Sequence, residues 1–340
     1  MTKTEAEDEP HERLVFLISA PRSGSTLLTR IVNATAHVHS RPEPHLITPL
    51  AHLGFWRRVH NAPYDPIVSQ RAQRQLIAEL PGGDADYLAA CRAYTDAIYG
   101  PLLKSGGKRY FLDKTPAYAL ALPFLMQLYP RARYLVLTRH PAAIFSSHAD
   151  SFFDGDDAAA ARHNPVLARY IPPIAALLRD PPEHCLHLRY EDLVAEPEQA
   201  LDRIGRLLGC SLDPAALDYQ QAPLRGEGPG DPLGVHRHYR PVTESSDRWA
   251  REMADHPGRF EAIEAQLGVV APEDLALWGY PEETLWASLD GSRARRRRRW
   301  DRFSVQRRVL LLGRALARRR GVRQAVVSLR DGCELLLRGE

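Results

Sequence analysis

Lysine is almost missing from this chain. Of 45 basic residues in 340, only Lys3, Lys104, Lys108 and Lys114 are lysines, so a lysine inside a motif carries unusual weight. Cysteine is scarce as well: Cys91, Cys185, Cys210 and Cys333 stand alone, with no C-x-x-C pair and no metal-ligand spacing. They read as reduced thiols packed as small hydrophobes in a cytosolic protein, and they exclude a disulfide framework. Long apolar runs are absent too; those present, Val309 to Leu312 among them, fall far short of a bilayer span. The opening segment MTKTEAEDEPHE is acidic and polar, the reverse of a secretory or transit segment. Residues 1–12 are expected to be a disordered leader, and the location is expected to be cytoplasmic.

What is present is ordinary in bulk: 44% hydrophobic and 26% charged residues, a composition that rules out collagen-like and wholly disordered chains. The net charge of +3 hides an asymmetry. Residues 293–340 hold sixteen arginines against Asp301, Asp331, Glu334 and Glu340, a net +12 that leaves −9 for the rest. A mildly acidic body with a basic tail is not a nucleic-acid-binding pattern, in which basic residues spread over a folded face. The extension 291–340 reads as basic helix with an apolar face through Trp300, Phe303, Val309 and Leu316. Such a tail suits an anionic membrane surface or an acidic carrier protein; packed on the body with its arginines in water, it would be structural only.

Short buried strands alternate with helical patterns. Leu14 to Ile18, Tyr110 to Leu112 and Tyr134 to Leu137 are apolar runs of strand length, and Cys185 to Leu188 is another strand candidate. Helical spacing follows the first run through Leu27, Leu28, Ile31 and Val32, begins again near Pro141, and spans 191–208 up to Gly209. This order predicts an α/β fold in three layers, a parallel sheet with helices on both faces. The main domain is expected over 13–290. Residues 44–108 read as an insertion on the acceptor side. Residues 222–241, crowded with glycine and proline, read as a long loop suited to be a lid.

Two motifs carry chemistry. Between the first strand and its helix lies Pro21-Arg22-Ser23-Gly24-Ser25-Thr26. A tight turn of small residues at a helix N-terminus aims backbone N–H groups and partial positive charge at one spot, a cradle for an anion. The nucleotide-triphosphatase loop would read G-x-x-x-x-G-K-[ST]; its first glycine and lysine are missing here, which disfavours an ATPase or GTPase. Taken alone, the segment also reads as a plain strand-to-helix turn with a serine cap. The second motif is Thr138-Arg139-His140-Pro141 with Ser146-Ser147. Arg139 ends a parallel strand, the usual ligand edge of such sheets, and Ser147 follows eight residues on, about two helical turns. Both can reach one phosphate, although a surface arginine and a helical serine is the blander reading.

Together these motifs resemble the nucleotide-binding signature of sulfotransferases that use 3′-phosphoadenosine 5′-phosphosulfate (PAPS), over roughly residues 14–250. The closest likeness in motif is to bacterial polyketide-associated and tyrosyl-protein sulfotransferases. The resemblance implies a P-loop-like α/β fold, PAPS as donor with 3′-phosphoadenosine 5′-phosphate as product, and no metal requirement. The loop Arg22, Ser23, Gly24, Ser25, Thr26 and Leu27 would hold the 5′-phosphosulfate, and Arg139 with Ser147 the 3′-phosphate. Glu43, 21 residues beyond Arg22, matches a catalytic glutamate, with His45 placed to share its work or orient the acceptor. A carboxylate there supplies the base that an alcohol nucleophile needs; without the resemblance Glu43 is an exposed loop acid. Lys114 in Asp113-Lys114-Thr115-Pro116 matches the lysine aimed at the transferred group, and alone reads as a surface lysine. Tyr190 matches a strand-end tyrosine against the adenine. Glu191 and Asp192 read as helix-start acids. In the loop, lying where relatives close over the cofactor, His236 and Arg240 would touch PAPS or acceptor, the alternative being a solvated loop role, and Trp249 reads as core.

The implied reaction is an in-line displacement, with Arg22, Lys114 and loop amides holding developing charge. The acceptor is then a hydroxylated small-molecule, lipid-like or carrier-bound natural product of bacterial secondary metabolism. A phosphoryl transferase on the same cradle, or a non-catalytic adaptor recruiting a partner through its tail, are the competing readings.

Overall fold

In the computed structural model, described over residues 10–53, 55–56, 66–219, 240–243, 246, 248–253 and 257–289, five strands build one sheet. They are β1 (Leu14–Ser19), β2 (Val38–Pro42), β3 (Tyr110–Lys114), β4 (Arg133–Thr138) and β5 (Cys185–Arg189). Their order is β2-β3-β1-β4-β5, and every neighbouring pair is parallel. Crossover helices must therefore cover both faces. Side chains alternate along each strand accordingly. Phe16, Ile18, Phe111, Tyr134 and Val136 enter one core, while Val15, Leu17, Leu112, Leu135 and Leu137 enter the other. Each such side chain, wholly buried, contributes roughly 1.5–3 kcal/mol.

On the second face lie α1 (Ser25–Ala34), α9 (Tyr190–Ala195) and α10 (Pro197–Leu208). On the first lie α4 (Asp84–Gly106), α5 (Leu122–Leu128), α6 (Pro141–Phe152), α8 (Val166–Arg179), α12 (Pro257–Leu267) and α13 (Pro272–Trp278). The other described α-helices are α2 (Ile47–Ala51), α3 (Pro66–Ala78), α7 (Asp157–His163) and α11 (Arg248–Met253). The three-layer α/β fold is as the strand and helix order predicts. No described helix is long and apolar enough to cross a membrane.

Three local differences from the sequence reading have physical causes. β2 was not foreseen, because its polar alternation V-H-S-R-P lacks the apolar run of a central strand; it lies at the sheet edge, where one side needs no burial. The helix expected over 191–208 is two helices. Pro197, at the first position of α10, has no N–H to continue α9, and Glu196 leaves helical geometry at φ −133°, ψ 61°. At the start, Pro10–Arg13 forms a short 3₁₀ turn inside the segment expected to be leader; residues 1–9 lie outside the described ones. So do residues 222–239 of the expected lid and the basic extension 291–340.

Buried charge and imidazole fasten the helices. Arg259 on α12, almost wholly buried, pairs with Asp150 on α6 at 2.7 Å and with Asp157 on α7 at 2.8 Å. Lys108 donates to the carbonyls of Asn33 and Thr35 at 2.7 Å each, capping the C-terminus of α1. His140 stacks on Trp249 at 4.1 Å. Its Nδ1 accepts from Ala142 N–H, so Nε2–H donates to the Leu285 carbonyl at 2.8 Å. Trp249 is thus core, as expected.

Burial pushes His140, His148 and His187 down to about 4. The unfolded chain binds these protons near 6.5, so the stability from keeping them neutral is present above that pH and is lost as pH falls towards 4. Asp113, pushed up to about 6 by burial, has the opposite sign, its contribution being full below 3.8 and lost as pH rises through 6. One unit corresponds to about 1.4 kcal/mol, and three imidazoles outweigh one carboxyl. Urea unfolding at pH 7 and pH 5 is expected to show a loss of several kcal/mol at the lower pH. An unchanged midpoint would contradict the buried neutral state of these rings.

Candidate active site

All five strands deliver a residue to the same edge. A parallel sheet aligns its C-terminal ends, and here those ends carry the Pro21–Thr26 turn after β1, Glu43 after β2, Lys114 ending β3, Arg139 after β4 and Tyr190 after β5. Sequence separations of more than a hundred residues collapse onto one rim.

The turn after β1 is shaped as an anion cradle. Arg22 and Gly24 both take positive φ, 69° and 87°, and Gly24 caps α1 without any side-chain cap bond. The opening N–H groups through Ser25, Thr26 and Leu27 have no acceptor within the helix, and no acid stands in the first turn. Beneath them the Ser19 and Ser23 hydroxyls are buried without a hydrogen-bond partner. Orphaned buried donors beside an uncapped helix N-terminus fit an anionic phosphate or phosphosulfate. Gly24 is required twice over, since a Cβ there would run into the Tyr190 ring.

The two motifs grip each other. Arg22 Nε donates to Ser147 Oγ at 2.9 Å, and Arg139 Nη1 donates to the Arg22 carbonyl at 3.1 Å. Because Ser147 Oγ accepts from Arg22, its own proton remains for a ligand. The Arg139 guanidinium lies 4.2 Å from the centre of the Tyr190 ring, a cation–π contact. Trp278 Nε1 donates to the Arg139 carbonyl at 2.9 Å and fixes that turn.

Across the rim, Lys114 Nζ donates to Glu43 Oε1 at 2.6 Å, with only 4% of the lysine side chain exposed. His45 Nε2 stands 3.6 Å from Glu43 Oε2, and its ring is 45% exposed. Glu43 thus has one oxygen on the lysine and the other towards the His45 ring. His45 takes φ 52°, a left-handed conformation that costs roughly 1–3 kcal/mol outside glycine. Among the described residues Asp154 alone shares positive φ with Arg22 and His45 without being glycine. Two of these three non-glycine residues with positive φ thus stand on this rim.

Every site residue read from the sequence and described in the structure, except Arg240, is brought to this rim. Arg240 is exposed, with no contact to the cradle among the described residues; His236 lies outside them. Several participants were missed. Phe152, 57% exposed, sits 5.9 Å from the Arg22 guanidinium. His148 is buried beside Arg22, both ring nitrogens without a partner. Glu191 does more than start a helix: it accepts from His140 N–H at 3.2 Å and from the Tyr280 hydroxyl. No short motif announces such contacts.

Such a rim suits an enzyme that anchors a phosphorylated donor and passes a group from it to an acceptor held nearby, that is, a group transferase of P-loop-like α/β architecture. The model of the sulfotransferase family matches residues 15–214, and the chain belongs to that family. Nodulation protein NoeE of Sinorhizobium fredii strain NGR234 is 30% identical over 229 residues, covering 61% of this chain and 52% of NoeE. The chain therefore corresponds to about half the length of that relative. A putative protein-tyrosine sulfotransferase of Caenorhabditis briggsae is 24% identical over 216 residues, 62% of this chain and 70% of the other. Among solved structures, the sulfotransferase domain of the Synechococcus PCC 7002 olefin synthase superposes with a TM-score of 0.50 at 26% identity. That match covers 74% of this chain and 93% of the domain. The sulfotransferase domain from the curacin biosynthetic pathway gives a TM-score of 0.51 at 23% identity, covering 76% and 98%, and supports the fold.

Replacing Gly24 tests the cradle. Gly24→Ala places a Cβ in a left-handed residue, at about 1–2 kcal/mol, and against the Tyr190 ring. The variant is expected to melt several degrees lower and to lose anion binding at the loop. A variant that melts and binds like the parent would show that the turn is not closed over Tyr190.

Proposed function

We propose that this chain is a PAPS-dependent sulfotransferase acting on a hydroxyl of a small-molecule, lipid-like or carrier-bound natural product. The observation that carries the reading is the Lys114–Glu43 pair, 2.6 Å apart, on the same rim as an uncapped helix N-terminus and Arg139. PAPS, when bound, supplies an activated sulfuryl group on a bisphosphate leaving group. The residues present fit it: the first-turn N–H groups and Arg22 for the 5′ end, Arg139 and the Ser147 proton for the 3′-phosphate, Tyr190 for the base. Glu43 takes the proton of the acceptor hydroxyl at its carboxylate. Lys114, its side chain 4% exposed, holds a compact positive charge where negative charge develops. His45, exposed beside Glu43, orients the acceptor. Most of the rate then comes from placement and preorganised charge.

The setting we propose is bacterial secondary metabolism in the cytoplasm. Likeness to sulfotransferase domains of a biosynthetic pathway and a synthase supports it, as does the +12 tail, whose charge complements an acidic carrier protein or an anionic membrane surface. The test is release of 3′,5′-adenosine bisphosphate from PAPS in the presence of a panel of phenols and alcohols, for the parent chain and Glu43→Gln. The substitution keeps shape and removes the base, and a fall of about 10²- to 10⁴-fold is expected. Near-full turnover by Glu43→Gln would remove Glu43 from the role of base.

A further inference from the structure

Asp113 precedes Lys114 in β3 and shares, by strand alternation, the face of Phe111. It is 1% exposed, yet no arginine or lysine pairs with it among the described residues. Three hydroxyls donate to it instead: Tyr99 at 2.7 Å and Tyr118 at 2.9 Å to Oδ2, and Thr115 at 3.1 Å to Oδ1. Two of these hydroxyls are acceptors in turn. Thr115 Oγ1 receives the N–H of His45 at 3.3 Å, and the Tyr118 oxygen receives the N–H of Ile47 at 3.2 Å.

The polarity of both chains runs one way, from amide to hydroxyl to carboxylate. They begin on the connection after β2, at His45 in the turn and at Ile47, the first residue of α2, where backbone pairing with β3 has ended at Pro42–Lys114. Pro44 offers no N–H there, and His45 is held at positive φ. Side-chain hydroxyls thus continue the hold that the strand ladder gives up, over the residues that carry the Glu43 carboxylate and the His45 ring.

We propose that Asp113 is a positioning residue for this turn: it fixes the hydroxyls of Thr115 and Tyr118, and these fix the backbone from which Glu43 reaches Lys114. The proposal deepens the sulfuryl-transfer reading and rests on Glu43 being the base. Burial pushes the Asp113 carboxyl up, against the pull of its three hydroxyl donors, so its charge at neutral pH costs the fold stability. A neutral side chain would serve packing better. What the ionised carboxylate adds is direction, since it can accept all three protons at once.

Thr115→Val and Tyr118→Phe each remove one link at nearly constant volume, and Thr115→Ser keeps the hydroxyl. Amide hydrogen exchange across 43–48 reads the turn without any acceptor. Calorimetry with 3′,5′-adenosine bisphosphate reads the cradle, and bisphosphate release from PAPS with phenols and alcohols reads turnover. Thr115→Val and Tyr118→Phe are expected to speed exchange at His45 and Ile47 respectively and to lower kcat at least ~10-fold. Bisphosphate affinity should be unchanged, and Thr115→Ser should restore both exchange and kcat. Unaltered exchange, or unaltered kcat with altered exchange, overturns the proposal. Glu43→Gln run alongside separates the two levels: a fully active Glu43→Gln removes the base and this proposal with it. An inactive Glu43→Gln beside a fully active Thr115→Val overturns the positioning role alone.

Discussion

The ion pair between Lys114 and Glu43 is the interaction on which the site depends. It joins the ends of two neighbouring parallel strands, 2.6 Å from Nζ to Oε1, and it exists only because β2 and β3 run side by side in a register that aligns Pro42 with Lys114. Taking such charges out of water is costly unless geometry and further partners compensate. The carboxylate keeps 16% of its side chain exposed and has His45 near its second oxygen, so the desolvation is partial. In a chain that uses arginine nearly everywhere, lysine stands at this point and at the cap of α1. At both places a compact ammonium donates, to the Glu43 carboxylate from Lys114 and to two helix-end carbonyls from Lys108.

The remainder of the rim is organised around the same parallel geometry. The connections from β1 and β4 leave the sheet in opposite directions, and between them lies the crevice where ligands bind in open α/β sheets. The cradle of α1, with its orphaned Ser19 and Ser23 hydroxyls, faces the second motif there. The reciprocal bonds of Arg22 with Ser147 and of Arg139 with the Arg22 carbonyl tie both halves into one binding surface. Strain at Arg22 and His45 belongs to this arrangement: two non-glycine residues in left-handed geometry hold side chains that ordinary turns would point elsewhere.

Much of this was legible in the sequence, and for physical reasons. Central parallel strands are buried on both faces and so announce themselves as apolar runs; the loop after β1 and the Arg139–Ser147 pair are local patterns fixed by the geometry of a turn and a helix. β2 escaped because V-H-S-R-P carries no such run, and the break between α9 and α10 was hidden in an amphipathic pattern that Pro197 interrupts without erasing. The Asp113 network was illegible for another reason. Thr115, Tyr118 and, on α4, Tyr99 lie near Asp113 in sequence, but no spacing rule turns their hydroxyls towards one strand-end carboxylate; the packing does. Likewise Glu191 satisfied the rule for a helix-start acid while its oxygens were engaged by His140 and Tyr280. Patterns of short range were readable; contacts made by the fold were not.

The most direct test of the central claim is isothermal titration of the full chain with 3′,5′-adenosine bisphosphate, with ATP in parallel and magnesium omitted. Micromolar or tighter binding of the bisphosphate, weak binding of ATP and loss of the bisphosphate signal in Arg139→Ala are the expected results. Absence of bisphosphate binding, or binding that Arg139→Ala leaves intact, would contradict a PAPS-dependent sulfotransferase built on this rim.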